Sequence, residues 1–145
     1  MNKKLPFWSV GYSENERITF TLSSTHADKE TEGFDWVESS VEIKAGGFFG
    51  KAHLFLTLSD IIKFKNQIEV LYNKIEGIAQ LKTIEDQVEL KIEGEGSGHM
   101  KLTGFLKDNV SFGNKLHFEI EFDQSFLPKT ISELNSTLAF FESCA

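Results

Sequence analysis

Cysteine is nearly missing from this sequence. Cys144 is the sole one among 145 residues, so no disulfide can form within the chain and no cysteine-based metal finger is available. Long apolar runs are also missing, and no stretch approaches the length of a membrane span. The basic start at Lys3-Lys4 is not followed by an apolar segment, so no export leader is expected. Positive charge is scarce: 15 Lys and Arg face 22 Asp and Glu, for a net charge of -7. Phosphate binding needs cations that displace counterions, so this balance argues against nucleic acid as a direct ligand. It argues equally against an anionic membrane surface. It permits a basic protein partner, because opposite fields speed encounter, although solubility alone would also explain it.

What is present fits an ordinary globular domain. The length suits a single domain over residues 1–145, with 40% hydrophobic and 26% charged residues. Fourteen Phe stand against two Tyr and two Trp. A buried Phe ring needs no hydrogen-bond partner, so most of them are expected in a core.

Period-two alternation predicts strands. Ile18, Phe20 and Leu22 alternate with polar neighbours over Arg17 to Leu22, and Val37 to Ala45 alternates again. Gly46-Gly47 reads as a turn and Phe48 to Thr57 as a strand, with Gly50 a bulge or a close approach. Ile78 to Ile84 can form a short strand. Val88 to Ile92, Met100 to Leu106 and Leu116 to Phe122 alternate cleanly, with Gly94 to Gly98 as the turn between the first two. A helix is predicted over Ser59 to Glu76, carrying Ile61, Phe64, Ile68, Leu71 and Ile75 on one stripe. Ser59 or Asp60 is expected at its cap and Gly77 at its close. A second begins near Pro128 and carries Ile131, Leu134, Leu138 and Phe141. The fold class that follows is α+β, a mostly antiparallel sheet with two helices packed on one face.

Catalytic patterns are absent or weak. Gly94-Glu95-Gly96-Ser97-Gly98 carries a glutamate that would repel phosphate, and it precedes a strand, so it reads as a hairpin turn. No serine sits in a nucleophile elbow, and Cys144 lies too near the end for a rigid catalytic setting. His53, His99 and His117 fall on the polar parity of their strands, where Glu89, Glu119 and Glu121 also point. Such a set could bind zinc or move protons if the strands were neighbours, but its spacing matches no metal motif and a wet sheet face needs the same residues. No catalytic residue, metal site or cofactor is expected.

The acidic residues are more suggestive as a group. Glu14, Glu16, Asp28, Glu30, Glu32, Asp35, Glu38 and Glu42 crowd the N-terminal third, and residues 23 to 35 read as an exposed acidic loop. Glu85, Asp86, Glu89, Glu93 and Glu95 form a second group. Either could meet a basic protein, and either could be a solvated surface. Trp36 is expected to be largely buried. Of Trp8, Tyr12, Phe34 and Trp36, Phe34 is the one best placed to reach a partner.

Several short pieces carry a resemblance. They are Trp36-Val37, Phe49-Gly50, Leu71-Tyr72 with Gly77, Gly98-His99-Met100, and Asp123-Gln124-Ser125-Phe126-Leu127. In this order and spacing the chain resembles the WapI family of bacterial immunity proteins, from Trp36 to the last helix. The resemblance implies a cytoplasmic antidote that binds the toxic domain of a secreted or contact-delivered toxin, often a nuclease, and carries no catalytic residues. The contacts expected first are Asp28, Glu30, Glu32, Phe34 and Asp35, then Glu89, Glu93, Glu119 and Glu121. Two other classes stay open on the residues alone: a regulatory or adaptor module using the same face, and a metal-dependent or acid–base enzyme built on the histidines.

Overall fold

A computed structural model describes residues 5–23, 28–29 and 35–143. The chain order is β1 (Phe7–Ser13), β2 (Glu16–Leu22), β3 (Asp28–Lys29), β4 (Asp35–Ala45), β5 (Phe48–Thr57), α1 (Leu58–Lys74), β6 (Glu76–Lys82), β7 (Val88–Glu95), β8 (His99–Lys107), β9 (Lys115–Asp123) and α2 (Leu127–Ser143). The antiparallel α+β class is as the alternation predicts, and the strands divide between two sheets. In the first, β1 pairs β2 and β2 pairs β4. The two-residue β3 also pairs β4, and β5 takes that strand's other edge. The second runs β6-β7-β8-β9.

Both sheets turn their apolar parity inward to one shared core. Phe20, Val41 and Leu54 of the first sheet join Leu90, Leu102 and Ile120 of the second, with Phe64 and Ile68 of α1 and Leu134 of α2. Trp8 sits among them, stacked on Phe20 with ring centroids 4.0 Å apart. β1 itself was not evident from alternation, because Trp8, Ser9 and Val10 are all buried in succession. Gly50 is the close approach rather than the bulge: its register opposite Ile43 is unbroken, and an added Cβ would lie 3.0 Å from Ile43 and 3.1 Å from Leu116.

Hydrogen bonds from the helices satisfy sheet edges, where unpaired strand groups otherwise invite aggregation. In α2, Glu133 Oε1 accepts from Ser9 N and Oγ at 2.9 and 3.0 Å, and Thr130 Oγ donates to Ser9 O at 2.7 Å. In α1, Gln67 Oε1 accepts from Gln80 N of β6 at 2.7 Å. Gln87 is buried and donates to His53 O and Lys107 O, tying the sheets together.

Helix termini differ from expectation. Thr57, the last residue of β5, caps α1 and exchanges reciprocal bonds with Asp60, so Asp60 is the partner of the cap and Ser59 lies inside the helix. Gly77 does not close α1. Ile75 takes the left-handed position with φ 53°, held by its N–H to Leu71 O and by Gly96 N–H donating to its carbonyl, and Gly77 is already in β6. The turn between β7 and β8 is shorter than the glycine run, because Gly94 and Glu95 extend β7. Asp123 caps a 3-10 turn, Gln124–Phe126, by accepting from Ser125 N at 2.8 Å. Among the described residues no helix is long and apolar enough to cross a membrane.

Candidate functional site

The outer face of the second sheet brings the predicted carboxylates together. Register aligns Lys82, Glu89, Phe105 and His117 in one cross-strand row. It aligns Gln80, Lys91, Thr103 and Glu119 in the next, and Ile78, Glu93, Lys101 and Glu121 in a third. The face is acidic by count but largely paired. Lys101 Nζ lies 2.9 Å from Glu119, and its pKa is raised by that hydrogen bond and charge, then by Glu121 and Glu93. Glu89 accepts from Gln80 at 3.2 Å and has Lys82 at 3.7 Å. Glu121 has His99 at 3.1 Å. Two spots are left repulsive: Glu76 stands directly opposite Glu95, and Lys107 directly opposite Lys115, an arrangement that destabilises a sheet and that an incoming ion of opposite charge would relieve.

The histidines are not one site. His53 lies on the first sheet, beside Glu38 at 3.2 Å and Ser23 at 3.4 Å, while His99 and His117 stand in different rows of the second. Among the described residues no three His, Cys, Asp or Glu side chains converge as metal ligands. The enzyme reading needed all three strands to be neighbours; β8 and β9 are, but β5 lies in the other sheet.

The N-terminal acidic group has a mixed placement. Glu38 faces His53, Glu42 faces Lys51 at 3.9 Å, and Glu16 accepts from Gly46 N at 3.0 Å. Asp28 is in β3, opposite Trp36, and Asp35 opens β4, so the expected loop is in part a strand pair. Glu30, Glu32, Phe34 and Cys144 lie outside the described residues. Trp36 is half-buried rather than largely buried.

A second surface was missed by sequence reasoning. Phe20, Phe64, Phe105, Phe118, Phe122 and Phe141 are buried, but Phe7, Phe48, Phe49, Phe55, Phe112 and Phe126 are exposed. Three of these gather at one end: Phe48 and Phe49 on the β4–β5 hairpin, and Phe112, 77% exposed, in the β8–β9 loop. A hollow of about 220 Å³ lies where the hairpin meets the loop, floored by Leu106 and Leu116 and edged by Phe49, Lys51 and Asn114. A second, of about 310 Å³, continues from Asn114 under Val110 and Phe112. The loop is clamped by Asp108, which accepts from Asn114 N at 2.8 Å and Nδ2 at 2.9 Å. These bonds hold the Asp108 carboxyl below the usual aspartate range. Phe105, on the polar parity, is roofed by Lys115, whose Nζ is 4.1 Å from the ring centroid, and Lys107 lies at 5.8 Å. The available signal was the unbroken Gly-Gly-Phe-Phe-Gly run, Gly46 to Gly50, in which adjacent rings cannot both face inward on a strand.

Residues 3–142 match a family model described as the immunity protein WapI-like family. No curated protein sequence matches the chain.

Proposed function

Because the chain belongs to the WapI-like immunity protein family, we propose that it is the cytoplasmic antidote to a secreted or contact-delivered toxin domain, which it neutralises by binding and occlusion. The family match over residues 3–142 carries this reading. The toxin acts on nucleic acid and is basic around its cleft, since a protein that holds phosphate needs cations there. An acidic chain of net charge -7 is drawn to such a surface. Glu89, Glu93, Glu119 and Glu121 lie on the exposed face that would supply the field, with Asp28, Glu30, Glu32, Phe34 and Asp35 as the second contact segment. Partial pairing with Lys82, Lys101 and His99 limits what Glu89, Glu119 and Glu121 contribute to lasting affinity, and Glu93 is exposed, so the role of the four is steering, which sets association rate and salt dependence.

The test is to express the neighbouring toxin domain in cells with and without this protein, and to titrate the purified pair at two salt concentrations. Rescue of growth with tight one-to-one binding that weakens in salt is the expected result. Absence of both rescue and binding overturns the proposal.

A further inference from the structure

We propose that the toxin is gripped by the aromatic end formed by the β4–β5 hairpin and the β8–β9 loop, and that the toxin patch seated there is apolar and ringed by carboxylates. This deepens the functional proposal and rests on it, adding which surface anchors the complex and the chemistry it meets.

The first argument is exposure without slack. Phe48, Phe49 and Phe112 are 70%, 58% and 77% exposed. Together they leave roughly 400 Å² of ring surface in water, taking ~200 Å² per ring. Exposed aromatic rings are the side chains that most often anchor an interface. The rings are presented on a set frame: Gly50 seats the hairpin against Leu116, and the Asp108–Asn114 bonds close the loop. A backbone already positioned loses little entropy on docking, which suits the rings it carries to anchor an interface. The hollows beside them are open and at or below the lower limit of small-molecule sites, ~300 Å³, so a partner's side chain is the fitting occupant.

The second argument is charge. Lys44, Lys51, Lys107 and Lys115 stand around this end of a chain that is acidic overall. Among the described residues Lys44, Lys107 and Lys115 have no carboxylate within ion-pair reach. Lys44 lies 6.0 Å from the Phe49 ring centroid, and Lys107 and Lys115 are over Phe105. Lys51 has Glu42, at 3.9 Å, as its one carboxylate partner among the described residues. Asp108, ionised and hydrogen-bonded to Asn114, is the one carboxylate lining the hollows among the described residues. Carboxylates on the partner would find three unmatched cations here and disturb at most the Lys51–Glu42 pair, whereas a basic patch would meet a surface where four lysines outnumber Asp108 and Glu42.

Two variants test this against the neighbouring toxin domain by calorimetry and by dissociation kinetics, with growth rescue scored in parallel. The first is Phe48→Ser, Phe49→Ser, Phe112→Ser, with Phe112→Ser alone as the milder change. The second is Lys44→Glu, Lys51→Glu, Lys107→Glu, Lys115→Glu. The aromatic triple is expected to bind at least about 100-fold more weakly through faster dissociation, with an unchanged unfolding midpoint, and Phe112→Ser about tenfold more weakly. The lysine reversal is expected to weaken binding about tenfold or more. Wild-type binding that the aromatic triple leaves intact overturns the docking proposal alone. So does tighter binding by the lysine reversal, which would make the facing patch basic. Sedimentation of the wild type, but not of the triple, with vesicles containing phosphatidylserine would assign the surface to lipid and overturn it. A wild type that neither binds nor rescues removes the functional proposal and this one together.

Discussion

The wet face of the second sheet and the aromatic end lie on the same small protein and solve opposite problems. On the face, Lys101 sits among Glu93, Glu119 and Glu121, and Glu89 has Lys82 and Gln80, so most charge is answered from within. At the aromatic end Lys44, Lys107 and Lys115 have no carboxylate partner among the described residues, and the rings are exposed. A surface that is internally paired is stable alone and gains little from contact. A surface left incomplete gains from whatever completes it. A count of acidic residues does not by itself rank these two regions for anchoring, because the count is blind to pairing.

The sharpest way to break this comparison is kinetic. The aromatic triple should raise the dissociation rate of the toxin complex by about 100-fold, while Glu89→Gln, Glu93→Gln, Glu119→Gln, Glu121→Gln should lower the association rate by about tenfold at low salt and leave dissociation within about twofold. Stopped-flow measurements at two ionic strengths separate the two, and equal effects on both rates would dissolve the distinction. Glu133→Ala is a calibrating change far from both regions. It strips the acceptor from the Ser9 amide and hydroxyl, so stability should fall by about 1–3 kcal/mol in urea unfolding with toxin kinetics unchanged. Gly50→Ala should cost about 1–2 kcal/mol, since the neighbours at 3.0 and 3.1 Å must give way, and should weaken toxin binding by tilting Phe49.

The smallest effects are in pH, and the two regions should answer at opposite ends of the scale. The lowered Asp108 pKa means that the bonds to Asn114 stabilise the loop above the ordinary aspartate value, about 3.9, and are lost as pH falls through the lowered one. The raised Lys101 pKa means that its contribution is present below the ordinary lysine value, about 10.4, and is lost as pH rises through the raised one. Amide resonances of residues 108–114 should therefore shift first in acid, and those of Lys101 and Glu119 first in alkali. Simultaneous change in both segments at either extreme would show a global transition instead.

Much of the fold was legible. β2, β4, β5 and β7 to β9 are half-buried strands whose inward and outward residues differ in kind, so alternation reveals them. β1 is not, because Trp8, Ser9 and Val10 are enclosed on both sides, partly by α2. The end of α1 was misplaced for a related reason. Gly77 is the residue that prefers the left-handed conformation, but the contacts of Ile75 with Leu71 and Gly96 impose it two positions earlier. Of the candidate site, the shared face of Glu89, Glu93, Glu119 and Glu121 was readable from parity. Their pairing was not, since it depends on which strand lies beside which.

The sequence by itself determined the strand periodicity, the apolar stripes of both helices, the acidic balance and, through the order of its short pieces, the family. Those properties are local or additive, and each can be read from a residue and its near neighbours. The tertiary structure decided that the strands split into two sheets, that His53 parts from His99 and His117, and that Phe48, Phe49 and Phe112 are left exposed on the hairpin and the loop while Phe20 and Phe64 are buried. A phenylalanine is equally apolar in either place. Whether it is core or contact depends on where the chain brings the opposing wall, and that is set by register and packing between segments far apart in sequence.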